Sequence, residues 1–589
     1  MIKPKRVLTI GLFILFTLLV FIGRLAQIQL VEPTSFSKYR INLIQSSINQ
    51  RTSQFIFNNG RGTILDRHLK PLTNHEQLSL VLFPFLKYTD WPAGSVADIL
   101  KVPKSQLIKA VNSAHKPFVF KQGHLNISNQ QKRQIEKLKV LGVHVMMVQS
   151  NDDRNIDPQV IGLVRQNSRM IEKRYGDLLN KGVVSRTVPT GINGLQKAFD
   201  PFLLSQNESM LLYHTDAKGM PLFGNSIRYT APSNPFYPLR VVSTLDKDIQ
   251  QLAEKAVNRA GLEKGGVVIL DVDNSNLLGM VSRPQIDNNH PYQTNSENQM
   301  LMPQFPGSVF KIVTAAAAIQ ENDVHSGDTF NCNLDVYGEK PAQKQLGTLS
   351  FDDSFYQSCN YTFAHLANLM TKNHSNVIND YADLLGLTGK SGWSGDVYHF
   401  NHFEHFPDEK TNTIWINNEP SHNKKAIGQT AIGQLNVKLT PLSVANMMAT
   451  IARNGVKQYV RAASKIIYHQ DDHMTLASFP HKSIKGQKLE SYTIIRLQQL
   501  LRGVVKSPEG TAHYYLSGLP YPVAGKSGTA QTGRNDMNNW FAGYFPADHP
   551  HYAMVVVDLN QRHGEEKTYQ IYRQIVKSLY QLDMRKSSN

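Results

Sequence analysis

The stretch "QFPGSVFKIVTAAAA", residues 304–318, decides how this chain reads. Ser308 stands three residues before Lys311, at the start of an apolar run with helical texture. Residues i and i+3 share a helix face, so the lysine amine falls within reach of the serine hydroxyl. Pro306-Gly307 suits a helix start. Taken alone, S-x-x-K leaves two readings open. Ser308 either caps the helix or is a nucleophile whose base is Lys311, an amine that serves once burial lowers its pKa.

Two further short motifs lie downstream. "YQSCNYTF" carries Ser358-Cys359-Asn360, an S-x-N, and "VAGKSGTAQT" carries Lys526-Ser527-Gly528-Thr529. Each is weak singly. Together and in this order, S-x-x-K, S-x-N and K-[ST]-G are the signature set of serine acyl-transferases that react with penicillin. The chemistry assigns each a task. Ser308 attacks an acyl carbonyl and Lys311 takes its proton. Ser358 relays that proton towards the leaving amine, while Asn360 holds Lys311 and a substrate amide. Lys526 offers positive charge to a substrate carboxylate. Ser527, Gly528 and Thr529 line the substrate, Gly528 allowing a close backbone approach. The backbone N–H groups of Ser308 and Thr529 are the expected oxyanion hole, where one donor contributes about 3–4 kcal/mol in the transition state.

Working outward, "GGVVILDVDNSNLLGMVSRP" (265–284) reads as a β-hairpin turning at Asp273-Asn274-Ser275-Asn276. "VVSTLDKDIQQLAEKAVNRAG" before it reads as a helix capped by Thr244 or Asp246. Helical patterns fill the middle. "NNWFAGYF" and "HYAMVVVDLN" return to strands, and "KTYQIYRQIVKSLYQL" is a last helix. The expected class is α+β, an antiparallel sheet packed by helices over residues 241–589. Residues 31–240 alternate short strand-like and helix-like runs without a nucleophile, acid and base together, and read as a non-catalytic, elongated mixed α/β stalk with a dimerising role. Residues 1–6 hold Lys3, Lys5 and Arg6; an uncharged run then covers 7–23, and apolar texture continues to residue 30. About 17–25 apolar residues span a bilayer as a helix. Basic residues ahead of the span favour a cytoplasmic N-terminus. The expectation is a single-pass anchor over 7–30 behind a six-residue cytoplasmic tail, with the remainder outside the cell.

The three motifs make the chain resemble a class B penicillin-binding protein, a monofunctional D,D-transpeptidase of peptidoglycan synthesis. The likeness extends over nearly the whole chain. "RGTILDR" (61–67) resembles the family's first N-terminal box and "GINGLQKAFD" (191–200) another. "SRPQID", "FPGSVFK", "LTPLSVANMMATIARNG", the "GTA" at 510–512 and "WFAGYFP" fall at expected positions. The resemblance implies that Ser308 is acylated by the penultimate D-Ala of a stem peptide ending in D-Ala-D-Ala, that a neighbouring stem's amine accepts the acyl group, and that β-lactams trap the serine. It implies partners in a division, elongation or sporulation complex, and no cofactor. Gln196 stands where the family usually has glutamate, which removes any salt bridge at that box. Leu435 in "AIGQL" stands where glycine is common. Competing readings are a β-lactamase or D,D-carboxypeptidase using the same serine, and a weakly active scaffold of a division or sporulation complex.

Lys and Arg number 63 against 46 Asp and Glu, a net charge of +17. Such a balance points to an anionic neighbour, a membrane surface or wall polymer. It leans towards a Gram-positive surface. The basic residues are scattered and form no nucleic-acid-binding motif. "HFNHFEHF" (399–406) spaces His399, His402, Glu404 and His405 like metal ligands. It lacks a second cluster, so exposed loop histidines and no metal are expected. Cys332 and Cys359 are the only cysteines. In an exported chain they are a candidate disulfide, and because Cys359 sits inside S-x-N, a candidate redox switch on the active site.

Overall fold

The computed structural model describes residues 4–31, 42–43, 46, 52–121, 125–150, 156–181, 183–205, 208–214, 228–230, 236–287, 290, 297–416, 419–469, 473–533, 536–562, 564 and 566–588. Lys3 and the two residues before it in the expected tail lie outside these. A helix over Pro4–Ala26 continues as a π-helical turn, Gln27–Val31. Its stretch Leu8–Val31 is 24 residues long with mean hydropathy 2.3, long and apolar enough to cross a membrane.

The chain forms two compact units, and they are interleaved in sequence. The smaller takes residues 1–60, 76–150 and 207–233; the larger takes 61–75, 151–206 and 234–589. Of the residues 31–240 expected as a stalk, 61–75, 151–206 and 234–240 fall in the larger unit. The pairing explains this. Thr63–Leu65 lies parallel to Arg240–Ser243, next to Ala463–Ile467, in a four-stranded sheet. Such pairing between distant segments leaves no local pattern in the sequence.

In the smaller unit, strands His75–Leu82, Phe118–Val119 and Val143–Ser150 form one sheet, and Thr52–Asn58, Ser209–His214 and Arg228–Thr230 another. The runs "SQLIKAVNSA" and "QQKRQIEKLKVLG" become helices Lys104–Ser113 and Asn129–Lys137. Ser128 opens the second with a capping box closed by Gln131. Leu107 and Ile135 enter a common core with Leu80, Leu82 and Val145.

The larger unit is built on a five-stranded antiparallel sheet. Its strands are β1 (Gly265–Asp271), β2 (Leu277–Arg283), β3 (Ala524–Gln531), β4 (Met537–Phe545) and β5 (Tyr552–Gln561), in the order β2-β1-β5-β4-β3. The expected hairpin is β1–β2. Both strands are almost wholly buried, as strands covered on two faces must be. Helix α1 (Lys247–Arg259) is capped by Asp246, which accepts from the backbone N–H groups of Asp248 and Ile249. Thr244, the other candidate cap, instead donates to the carbonyls of Leu277 and Arg461. The remaining helices that matter here are α2 (Lys311–Gln320), α3 (Phe351–Tyr356), α4 (Asn360–Asn373), α5 (Pro441–Ala452), α6 (Ser491–Lys506) and α7 (Glu566–Ser587). Nine consecutive residues of α2, Lys311–Ile319, are buried. The alanines allow that: small side chains let neighbouring helices close in on every face.

The box around Gln196 keeps an ion pair. Arg61 is 1% exposed and donates to Gln196 Oε1 at 2.9 and 2.6 Å, and to Asp200 Oδ1 at 2.7 Å. The salt bridge expected to be lost with glutamine at 196 is supplied by Asp200, four residues on. Asp200 also accepts from the Gly191 N–H and the Tyr175 hydroxyl, each at 2.8 Å. Loss of solvent around its partly buried ring first, and this carboxylate second, hold the Tyr175 hydroxyl well above its ordinary pKa.

Candidate active site

Ser308 does not begin an α-helix. Residues Gly307–Phe310 form a 3-10 turn, and α2 starts at Lys311. The difference bears on the motif: in a 3-10 turn residues i and i+3 eclipse, so the backbone carries Ser308 and Lys311 on one face. Gly307 has φ +54, and a Cβ there would collide with the Thr529 carbonyl. A Cβ on Gly528 would run into the Pro306 carbonyl and Val309. The serine turn thus lies directly against β3. It is pinned by Trp540, whose indole N–H donates to the Phe305 carbonyl at 2.9 Å, and by the Gly307 N–H to the Gly433 carbonyl at 3.0 Å.

Lys311 is wholly buried. Its ammonium hydrogens meet three acceptors: the Ser358 carbonyl at 2.6 Å, Asn360 Oδ1 at 2.7 Å and Ser358 Oγ at 3.1 Å. Burial first, and the Lys526 charge second, push its pKa well below the ordinary lysine range. The faces of two phenylalanines approach the two amines, Phe363 at 5.5 Å from Lys311 and Phe355 at 5.6 Å from Lys526. Ser358 sits at φ +62, a left-handed backbone uncommon for serine. Strained backbone of this kind persists where its surroundings over-determine it. Here the restraints are the Lys311 bonds and the neighbouring Cys359, which is bridged to Cys332 with Cα atoms 5.8 Å apart. Cys359 also stands at the N-cap of α4, the helix that Asn360 begins.

On β3, Lys526 is buried and Ser527 is 5% exposed. The turn beneath Ser308 meets this strand at Gly528 and Thr529, so S-x-x-K and K-S-G share one seam while S-x-N reaches it through Lys311. Sequence reasoning missed Phe355, Phe363 and Thr511. Only Thr511 had a signal, the quoted "GTA" triplet.

Leu435 adopts φ +62 and is 48% exposed. A β-carbon in the left-handed region costs roughly 1–2 kcal/mol, against about 0.5–1 kcal/mol that glycine loses from the unfolded state. Leu435→Gly is therefore expected to raise stability by roughly 0.5–1 kcal/mol, read as a shift in denaturation midpoint; a loss would show that the leucine side chain makes a contact worth more than its strain. In the histidine stretch His399 and His402 are exposed as expected, and His405 is the exception. His405 is 1% exposed, stacks on Trp393 at 4.7 Å, and accepts from the Ala462 N–H through Nδ1. It points inward because Phe403 and His405 share the buried phase of an extended stretch. Burial pushes its pKa well below the usual value. Glu404 pairs with Lys390 instead. Among the described residues no group of three or more such side chains is placed to hold a metal.

Residues 265–580 match the family model of the penicillin-binding protein transpeptidase domain, and the chain belongs to that family. The class B likeness drawn from the motifs stands with its relatives. The chain is 24% identical over 354 residues to the peptidoglycan D,D-transpeptidase PbpA of Mycobacterium tuberculosis, covering 54% of this chain and 66% of that protein. It is 25% identical over 580 residues to the stage V sporulation protein D of Bacillus subtilis, covering 94% and 81%. In fold it resembles a chain of a solved peptidoglycan synthase complex, with TM-score 0.64, 22% identity and 98% of both chains covered. It also resembles penicillin-binding protein 2X of Streptococcus thermophilus, with TM-score 0.61, 17% identity, and 90% and 80% covered.

Proposed function

We propose that this chain is a membrane-anchored serine D,D-transpeptidase that cross-links peptidoglycan stem peptides through an acyl-enzyme on Ser308. The observation that carries the reading is Lys311: a buried lysine three residues after the serine, its amine gathered by Ser358 and Asn360. In the reaction Ser308 Oγ bonds to the carbonyl carbon of the penultimate D-Ala, and Lys311 takes the hydroxyl proton. The C–N bond to the terminal D-Ala breaks, and the leaving amine receives a proton by way of Ser358. An amine of a second stem then attacks the ester carbonyl, the C–O bond to Ser308 breaks, and the amine's proton returns to Ser308 Oγ by way of Lys311. The Ser308 and Thr529 N–H groups hold the oxyanion, and Lys526 with Ser527 and Thr529 faces the donor's carboxylate. The helix at Leu8–Val31 anchors the chain, with residues 1–6 in the cytoplasm and residues 241–589, the transpeptidase domain, outside. Division, elongation and sporulation assemblies are the fitting partners.

The test is intact-protein and peptide mass spectrometry of the full-length chain in detergent after brief exposure to benzylpenicillin, followed over hours. A stable adduct on the Ser308 peptide is expected. An adduct lost within minutes would favour hydrolysis, hence a β-lactamase or carboxypeptidase. No adduct would favour a scaffold.

The disulfide belongs to the same reading. Cys359 separates Ser358 from Asn360, so opening its bridge loosens both partners of Lys311. Cys332→Ser is expected to slow benzylpenicillin acylation several-fold, measured as a second-order rate. An unchanged rate, in the variant and in reductant, would leave the bridge as a staple without control over the site.

A further inference from the structure

The "GTA" loop reaches the site through one hydroxyl. Thr511 Oγ1 lies 2.8 Å from Ser527 Oγ. The rest of the residue is held from two other elements. Its N–H donates to the carbonyl of Tyr356, the last residue of α3 and two before Ser358, at 3.1 Å. Its carbonyl accepts from the hydroxyl of Tyr569 in α7 at 3.4 Å, and that ring stacks on Tyr515 at 4.3 Å. The neighbouring residue is fixed too: the Ala512 N–H bonds the Val504 carbonyl at the end of α6. Thr511 therefore ties the K-S-G strand to the helix that leads into S-x-N, and its β-branched side chain has few rotamers to lose.

From this placement we infer that Thr511 is a positioning residue for the acyl donor, orienting the Ser527 hydroxyl towards the donor's terminal carboxylate; the inference rests on the transpeptidase reading. Two hydroxyls 2.8 Å apart share one proton between them. An anion beside Ser527 draws that serine's proton to itself, and the lone pair of Ser527 Oγ is then filled by the Thr511 proton. The order is Thr511 to Ser527 to carboxylate, each bond polarising the next. Without Thr511, Ser527 is free to turn its proton to a backbone carbonyl.

The test measures acylation of the full-length protein in detergent by two thioester donors, one with a free terminal carboxylate and one with that carboxyl methylated. Thr511→Val keeps shape and removes the hydroxyl. It is expected to lower the rate with the carboxylate donor by about tenfold, as loss of a hydrogen bond that bears on a charge does, and to change the ester's rate less than about twofold. Thr511→Ser should restore the carboxylate rate. In a Ser527→Ala background, Thr511→Val should add nothing. Equal losses on both donors, or no loss, would overturn the inference while leaving the acyl-enzyme reading intact. Failure of the unaltered protein to react at Ser308 with either donor or with benzylpenicillin would overturn both. Thr511→Ala supplies the same comparison should the valine variant not fold.

Discussion

Replacing Lys311 with glutamine is expected to lower benzylpenicillin acylation of Ser308 by about a thousandfold, within the range that a positioned general base contributes. Glutamine keeps a donor for the Ser358 carbonyl and Asn360 Oδ1, so the fold should hold, and an unchanged melting curve would verify it. The pH profile of the unaltered protein gives a sharper reading. Lys311 acts as a base only when neutral. Burial and the Lys526 charge lower its pKa, so acylation should rise with pH through that lowered value and level off above it. Lys526→Gln removes one of the two causes. The Lys311 pKa then moves up, and the rising limb should move to higher pH, in addition to any loss of donor binding. A limb that stayed in place, or moved to lower pH, would assign the titration to another group. A Lys311→Gln variant within tenfold of the unaltered rate would remove Lys311 from the chemistry altogether.

The second large effect is structural. Asp200→Ala is expected to destabilise the larger unit by about 3–5 kcal/mol, the usual result of breaking a buried ion pair from one side. Three consequences add up. Arg61 keeps its charge at 1% exposure, and the Gly191 N–H and the Tyr175 hydroxyl lose their acceptor. Gln196 remains as a neutral partner and limits the damage. Asp200→Asn retains an acceptor oxygen and should cost less. Chemical denaturation followed by intrinsic fluorescence measures both. A loss below about 1 kcal/mol, typical of exposed pairs, would mean that Arg61 is satisfied by Gln196 and the Pro189 carbonyl alone.

The motif residues were legible because their chemistry demands particular side chains at short, fixed spacings, and the β1–β2 hairpin because its turn residues interrupt two apolar runs. What escaped depends on partners far away in sequence. Nothing local reveals that Arg61 is answered by Asp200 across 139 positions, or that Thr63–Leu65 pairs with Arg240–Ser243; the interleaving of the two units has no local signal for the same reason. His405 was read as exposed from the polar residues around it, although the two-residue period that buries it runs through Phe403. The 3-10 turn at Ser308 was hidden for another reason. Its residues also suit an α-helix, and what decides the matter is contact with β3 at Gly528 and Thr529.

The place of β3 at the end of the five-stranded order has one more consequence. An edge strand offers backbone N–H and C=O groups to any extended chain that lies beside it. On the proposed transpeptidase reading, a stem peptide bound there would be recognised as a visiting strand, by groups common to every residue. Selectivity would then fall on the ends of the visitor: its carboxylate at one end and the carbonyl presented to Ser308 at the other. Such a site would tolerate variation along the peptide and be strict about its terminus, and a small rigid molecule carrying only those two groups at the right separation would pass for the whole strand.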